Sequence, residues 1–203
     1  MFDKSYTDLL SISETKLVYP HAHWYIRKTG DTMKLHLGCG ENYRTGWVNV
    51  DFSGDHVDQT VDLSEFPWPW SDNSVDEVFL EQVIEHFQRP EFVIKEIHRI
   101  LKPGGRVELI TPHKESVSAC IIDHKALMTR RFFEAFCDPD HYWIQQNGDC
   151  YFREISYRVL IIKKTWLKWT PFDWIASRYA CFWEKFSFGA LRPGEIIWIA
   201  EKP

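Results

Sequence analysis

Lys34-Leu35-His36-Leu37-Gly38-Cys39-Gly40 is the stretch on which the reading of the fold turns. A short run, Lys34–Leu37, stops abruptly at two glycines flanking one residue. At the carboxyl end of a first parallel strand such glycines allow a sharp turn and let a ligand approach the backbone closely. Taken alone, Gly-x-Gly reads better as a plain strand-to-loop turn. The residues that follow decide between the two.

Two further short runs end in an acid: Trp47–Val50 is closed by Asp51, and Val57–Val61 by Asp62. A carboxylate just past a second strand can accept two hydrogen bonds from the cis-diol of a ribose. One after the third strand can accept a hydrogen bond from an exocyclic adenine amine. Either acid alone suits a turn, but in register with Gly38 and Gly40 the pair suggests an adenosine site. The turn Ser71-Asp72-Asn73-Ser74 introduces a fourth strand, Val75–Leu80. Pro90 then suits a first helical position, with Phe92, Val93, Ile97, Ile100 and Leu101 on one face. Lys102-Pro103-Gly104-Gly105 ends that helix, and a fifth strand spans Arg106–Thr111. Strands alternating with helical segments predict an α/β fold with a parallel sheet and helices on its faces.

Beyond Pro112 the rhythm loosens. Thr129 caps a helix through Cys137, Tyr151–Ile162 reads as a long strand, Phe172–Phe186 as an amphipathic helix and Glu195–Ala200 as a last strand. The organisation expected is a single domain: residues 1–33 a cap, 34–112 a cofactor-binding core, 113–150 an acceptor-side insertion, and 151–203 the last strands and helix. Irregular stretches in such domains usually lie over the carboxyl ends of the strands, where ligands bind.

Composition narrows the function. The chain has 203 residues, 44% hydrophobic and 26% charged, so it can bury a core without disulfides or metals. A net charge of −5 offers phosphate backbones no general attraction and argues against nucleic acid as a partner. Five scattered cysteines with no C-x-x-C pair suit a reducing cytoplasm. No signal peptide or membrane-spanning run is visible. From Tyr151 to Pro203, nine Lys/Arg face five Asp/Glu amid dense aromatics. The commonest use of such aromatics is packing. The alternative is that Trp166 to Trp183 docks a second copy of the chain or an anionic membrane.

The run from Lys34 to Pro112 resembles the cofactor-binding core of the class I S-adenosylmethionine-dependent methyltransferases. It is similar in particular to a compact branch, through Leu35–Gly40, Gly46–Asp51, Asp62-Leu63, Asp72–Glu77, Glu85-His86 and Leu101–Gly105, in that order. The resemblance implies a Rossmann-like sheet of seven strands, mostly parallel, in the order 3-2-1-4-5-7-6, with the last strand antiparallel. It implies S-adenosylmethionine as cofactor, with Gly38, Cys39 and Gly40 under the methionine part. Asp51 would bind the ribose hydroxyls, Asp62 and Leu63 the adenine edge, and Glu81 would lie near the methionine moiety or the acceptor. In this chain His36 stands where the family has an acid, and Glu41-Asn42 where it has a third glycine. Only six residues, Glu41–Gly46, separate Gly40 from Trp47, too few for a crossover helix.

A small-molecule acceptor is expected, a sugar or glycan-precursor hydroxyl by analogy. A hydroxyl acceptor needs a general base, and His113 and His124 are the candidates, the latter paired with Asp123. His86 is assigned a structural hydrogen bond. No metal is expected, because Asp138 and Asp140 flank Pro139 and read as a turn. Other readings are a cofactor-binding module of the same fold that methylates nothing, and an RNA methyltransferase. The second is disfavoured because Leu80-Glu81-Gln82-Val83 replaces the N/D/S-P-P-aromatic run of amino-methyltransferases. A nicotinamide enzyme is disfavoured because G-x-G-x-x-G is absent.

Overall fold

A computed structural model describes residues 32–148, 150–160, 171–179 and 194–203. Thr32–Pro203 form one compact unit. Most of the expected cap, residues 1–31, lies outside the described residues.

Seven strands make one sheet: β1 (Lys34–Leu37), β2 (Val48–Asp51), β3 (Gln59–Thr60), β4 (Val75–Glu81), β5 (Leu101–Pro112), β6 (Arg153–Leu160) and β7 (Glu195–Glu201). Their spatial order is β3-β2-β1-β4-β5-β7-β6. The first five run parallel, and β7 runs antiparallel to both neighbours, β5 and β6. The expected Rossmann-like topology is therefore the observed one. All four residues of β2 are buried, and so are Leu35, His36 and Leu37 of β1. Consecutive buried residues, rather than alternating ones, mark strands covered on both faces.

Helices are fewer than the fold class leads one to expect. Among the described residues the helices are α1 (Pro90–Ile100), α2 (Arg130–Glu134), α3 (Tyr142–Asn147) and α4 (Pro171–Arg178), with 3-10 turns at Ile84–His86 and Val117–Cys120. Pro90 starts α1 as expected, and Val93, Ile94, Ile97 and Ile100 are fully buried. Leu101 is not the last residue of that stripe. It is already extended (φ −65°, ψ 138°) and pairs with Val75, so β5 begins before the Pro-Gly-Gly turn rather than after it. The register shift between Val75 and Glu77 takes up the turn as a bulge, where Gly104 holds φ +77°. Helix α2 is capped by Thr129, as read, but ends at Glu134, short of the expected Cys137. The amphipathic helix expected over Phe172–Phe186 is described only as α4; residues 180–193 lie outside the described residues.

Part of the aromatic C-terminal region packs. Trp198 on β7 is fully buried, its ring 5.1 Å from that of Phe133 and 5.4 Å from that of Phe152. Full burial of one such side chain contributes roughly 2–3 kcal/mol.

Candidate functional site

The ends of β1, β2 and β3 adjoin at the carboxyl edge of the sheet. After Leu37 the chain turns through Gly38 and Gly40, which hold φ +65° and +52°, values that favour glycine. The Gly40 N–H donates to Asp51 Oδ2 at 2.8 Å, and the Phe52 N–H to Asp51 Oδ1 at 2.7 Å. The Cys39 N–H donates to the Val50 carbonyl at 3.1 Å. The glycine turn therefore hangs on the end of β2, and the buried Asp51 is its anchor. Each carboxylate oxygen offers two lone-pair sites, so Asp51 keeps acceptor capacity for a further hydroxyl. Cys39 is buried; burial and the neighbouring Asp51 charge push its thiol up and keep it neutral.

Gly38 is also needed for space. A Cβ there would lie 2.4 Å from Cγ2 of Val83. Val83 is delivered by Gln82, a non-glycine residue at φ +55° just past β4. Two bonds hold Gln82 there: its N–H donates to the Ile110 carbonyl at 2.8 Å, and its Nε2 to Glu195 Oε1 at 2.9 Å. Local strain of this kind persists where the surroundings over-determine it, commonly at functional sites. Neither residue type announces this role, and the sequence reading missed both.

The connection from β1 to β2 lacks a helix, and Asn49 supplies the order instead. Its Oδ1 accepts the Arg44 N–H at 2.8 Å, and its Nδ2 donates to the carbonyls of Arg44 and Trp47 at 3.1 and 3.2 Å. His36 Nδ1 lies 3.1 Å from the same Oδ1. Burial pulls the His36 imidazole below its usual range, against the Asn49 hydrogen bond that favours its charge. A neutral ring thus occupies the position where an acid was expected. The Arg44 guanidinium lies 3.5 Å from the centre of the Phe79 ring.

Asp62 is exposed; its Oδ1 accepts the Ser64 hydroxyl at 2.6 Å and the Ser64 N–H at 2.8 Å. Those two bonds hold its carboxyl below the usual carboxylate range. Leu63 is buried, and its carbonyl accepts the Trp68 indole N–H at 3.0 Å. Glu81 ends β4 with its side chain exposed.

Residues 35–109 match a family described as a methyltransferase domain. That span runs from the middle of β1, through the glycine turn, Asp51, Asp62 and Glu81, into β5. Over these residues, 35–109, the chain is similar to that methyltransferase domain. No curated protein matches it. Solved structures share its fold. One is the methyltransferase in complex with the Trm112 activator from Haloferax volcanii (20% identity over 85% of this chain and 83% of that one, TM-score 0.53). Another is a SAM-dependent methyltransferase from Archaeoglobus fulgidus (16% identity, 85% and 87% covered, TM-score 0.52). A third comes from Mesorhizobium loti (13% identity, 87% and 94% covered, TM-score 0.53).

S-adenosylmethionine is the cofactor that this similarity implies, and the donors fit it. The cofactor carries no pyrophosphate, so it needs little from a helix N-terminus, and the helix-free connection after Gly40 is no obstacle. A free Asp51 lone pair suits a ribose hydroxyl. Open space at Gly40, where nothing among the described residues lies within 4 Å of the position a Cβ would take, suits an amino-acid moiety.

The acceptor-side candidates of the methyltransferase fare differently from one another. His113, just past β5, is fully buried, and its Nδ1 accepts the Glu115 N–H at 3.2 Å. His124 is half-buried, and its Nδ1 has no hydrogen-bond partner among the described residues. Asp123 does not pair with it. The His86 Nδ1 lies 3.4 Å from the Asp123 carbonyl oxygen and 3.4 Å from Asp123 Oδ2. Glu85 is buried, its Oε2 accepting the Thr111 hydroxyl at 3.0 Å, and burial pushes its carboxyl up. The fold therefore gathers His86, set aside as structural, with Glu85 and His124. Asp138 and Asp140 sit in an exposed turn, where Asp138 Oδ1 accepts the Asp140 N–H at 3.0 Å.

Proposed function

We propose that the enzyme transfers the methyl group of S-adenosylmethionine to a hydroxyl of a small molecule, a sugar or glycan precursor being the class favoured. The observation that carries the cofactor half is the tie between Gly40 and Asp51, which sets the ribose-binding carboxylate against the turn that would cradle the methionine part. Asp51 would accept from the ribose hydroxyls. The exposed Asp62 carboxylate would accept from the adenine amine. Leu63, whose side chain is in the core, would offer the adenine only its backbone. Gly38 and Cys39 would lie beneath the methionine moiety and Glu81 beside it.

Methyl transfer asks mainly for alignment, since the sulfonium is already a good leaving group. An acceptor hydroxyl must also lose its proton. Burial of His113 and the engagement of its Nδ1 favour His124 for that task. It stands on the half-exposed side, its ring 4.8 Å from that of His86. No helix among the described residues is long and apolar enough to cross a membrane. The free thiols of Cys39, Cys120, Cys137 and Cys150 suit a reducing cytoplasm. Trp166 and Trp183 lie outside the described residues. Trp174, Ile175 and Tyr179, exposed on α4 and just past it, would carry the contact with a second copy or an anionic membrane.

The test is incubation with methyl-labelled S-adenosylmethionine and a panel of sugars, nucleotide sugars and hydroxy acids, read by mass spectrometry. Labelled methyl ether in one class supports the reading. Tight cofactor binding without product from any hydroxylated acceptor would point to the non-catalytic module instead.

A further inference from the structure

The sequence reading expects no metal, but the fold assembles a set of metal donors. A carboxylate oxygen of Glu85 and one ring nitrogen each of His86 and His124 lie within 4.8 Å of one another. Two of the three residues carry a buried polar atom with no hydrogen-bond partner among the described residues: Glu85 Oε1 and His124 Nδ1. Glu85 is only 1% exposed, so water does not compensate it from bulk. Buried polar atoms without a partner are rare, and each calls for a physical reason.

The surroundings hold these donors in place. The Thr111 hydroxyl occupies Glu85 Oε2 at 3.0 Å, which leaves Oε1 for a second partner. The Lys125 and Ala126 N–H groups donate to the Glu85 carbonyl at 2.8 and 3.1 Å, fastening the segment that bears His124 to the turn that bears Glu85. The Asp123 oxygens beside His86 Nδ1 can take its proton-bearing side and leave Nε2 as the free donor. A ligating histidine characteristically gives its other nitrogen to a carboxylate or carbonyl in this way.

We propose that Glu85, His86 and His124 bind one divalent transition-metal ion, with Zn²⁺ the best match. Two imidazoles and one carboxylate suit zinc and its first-row neighbours, whereas Mg²⁺ and Ca²⁺ prefer oxygen donors throughout. Three protein ligands leave coordination open, and half-buried His86 and His124 leave it accessible. Only Ile84 separates Glu85 from Val83, the residue packed against Gly38, so the site lies a short way along the chain from the contact with the glycine turn. Resting on the reading of the enzyme as a hydroxyl methyltransferase, the ion would take the acceptor oxygen and make its proton easier to lose. With His124 engaged as a ligand, the ion would replace it as the means of deprotonation: the proton would pass to solvent, the oxygen–carbon bond would form, and the carbon–sulfur bond would break with its electron pair going to sulfur, giving S-adenosylhomocysteine.

The full chain, free of any affinity tag and stripped with a chelator, is titrated with Zn²⁺ by calorimetry and with Co²⁺ by visible absorption. One ion per chain is expected, with a cobalt spectrum of nitrogen–oxygen coordination. Glu85→Gln, His86→Ala and His124→Ala should each weaken binding on the order of 100-fold, the loss associated with removing a ligand or its close support. Circular dichroism checks folding. Because Glu85 is buried, the half-exposed His86 and His124 variants decide the matter if Glu85→Gln unfolds. S-adenosylmethionine is titrated into the same samples. Loss of the metal with cofactor binding retained supports the site, and Asp51→Ala should show the reverse. A folded wild-type chain that binds neither ion, or histidine variants that bind as the wild type does, would overturn the proposal. Metal binding without any cofactor binding would overturn the methyltransferase reading and leave the site standing.

Discussion

The Gly40 N–H donates to Asp51 Oδ2 at 2.8 Å, which couples the turn after β1 to the carboxylate after β2. One side chain therefore shapes the turn and, in the function proposed, would also offer lone pairs to the ribose. Asp51→Ala should weaken S-adenosylmethionine binding by about 1.5–3 kcal/mol, the scale of hydrogen bonds to a charged acceptor. Asp62→Ala should cost less, because Asp62 is exposed and satisfied locally by Ser64. Calorimetric titration of both variants checks the order; equal affinity of Asp51→Ala and wild type would remove Asp51 from the site.

Gly38 and Gly40 share a left-handed backbone but not the same surroundings, and their alanine variants should differ accordingly. At Gly40 the cost is the backbone alone, about 1–2 kcal/mol, since nothing among the described residues lies near a Cβ there. At Gly38 the same cost is joined by the 2.4 Å clash with Val83. Gly38→Ala should therefore be clearly less stable than Gly40→Ala, and adding Val83→Ala should recover part of the difference. Urea denaturation of the three variants measures this. A Gly38→Ala variant as stable as Gly40→Ala would show that Val83 moves aside freely.

The strand ends were legible in the sequence because glycines and acids punctuate them. Gly38 turns the chain after β1, Asp51 is the last residue of β2, and Asp62 follows two residues after β3. The start of β5 was not legible. Leu101 continues the apolar face of α1 by spacing, yet it pairs with Val75, and the Pro-Gly-Gly that reads as a terminator is absorbed as a bulge. Local propensity cannot anticipate that partner, because it comes from 26 positions away in the chain. The grouping of Glu85 with His124 was hidden for the same reason. Its two halves follow different strands and meet only when β4 and β5 pair. Asp123-His124 looks like a unit in sequence, but the turn of the chain gives Asp123 to His86.

Asp76 provides a test by pH. Burial alone would push its carboxyl up, but hydrogen bonds from Lys102 and the Met33 N–H, with the charges of Lys102 and Lys34, hold it below the usual range. Both Asp76 oxygens lie 2.8 Å from Lys102 Nζ. A carboxyl whose folded pKa is depressed adds stability above its unfolded pKa, which is near 3.8. That stability is lost as the pH falls through the lower, folded value. Wild type should exceed Asp76→Asn by about 1 kcal/mol at neutral pH, given the partial exposure of the pair. The gap should narrow once the pH drops below the unfolded value. Urea midpoints across an acid series check it, and a gap that grows as the pH falls would contradict the assignment.

Asn49 is the residue whose loss should reach furthest from its own position. It is fully buried, and three of its side-chain contacts hold the helix-free connection from β1 to β2, those to the Arg44 N–H, the Arg44 carbonyl and the Trp47 carbonyl, while a fourth reaches Asp58 Oδ2 just before β3. Asn49→Ala leaves the buried His36 ring and the Arg44 N–H without that oxygen, at a cost of roughly 1–3 kcal/mol for each group left unsatisfied. Asn49→Asp keeps the oxygen but loses both N–H donors and sets a second carboxylate against Asp58, so at neutral pH it should be no better. The connection itself gives a local readout, because Arg44 is a trypsin site held by these bonds and by the Phe79 ring. Trypsin should cleave after Arg44 faster in Asn49→Ala than in wild type, under conditions where global unfolding is negligible. Mass spectrometry of the first fragments identifies the cut. If Asn49→Ala resists trypsin as wild type does, the connection is ordered by something other than Asn49.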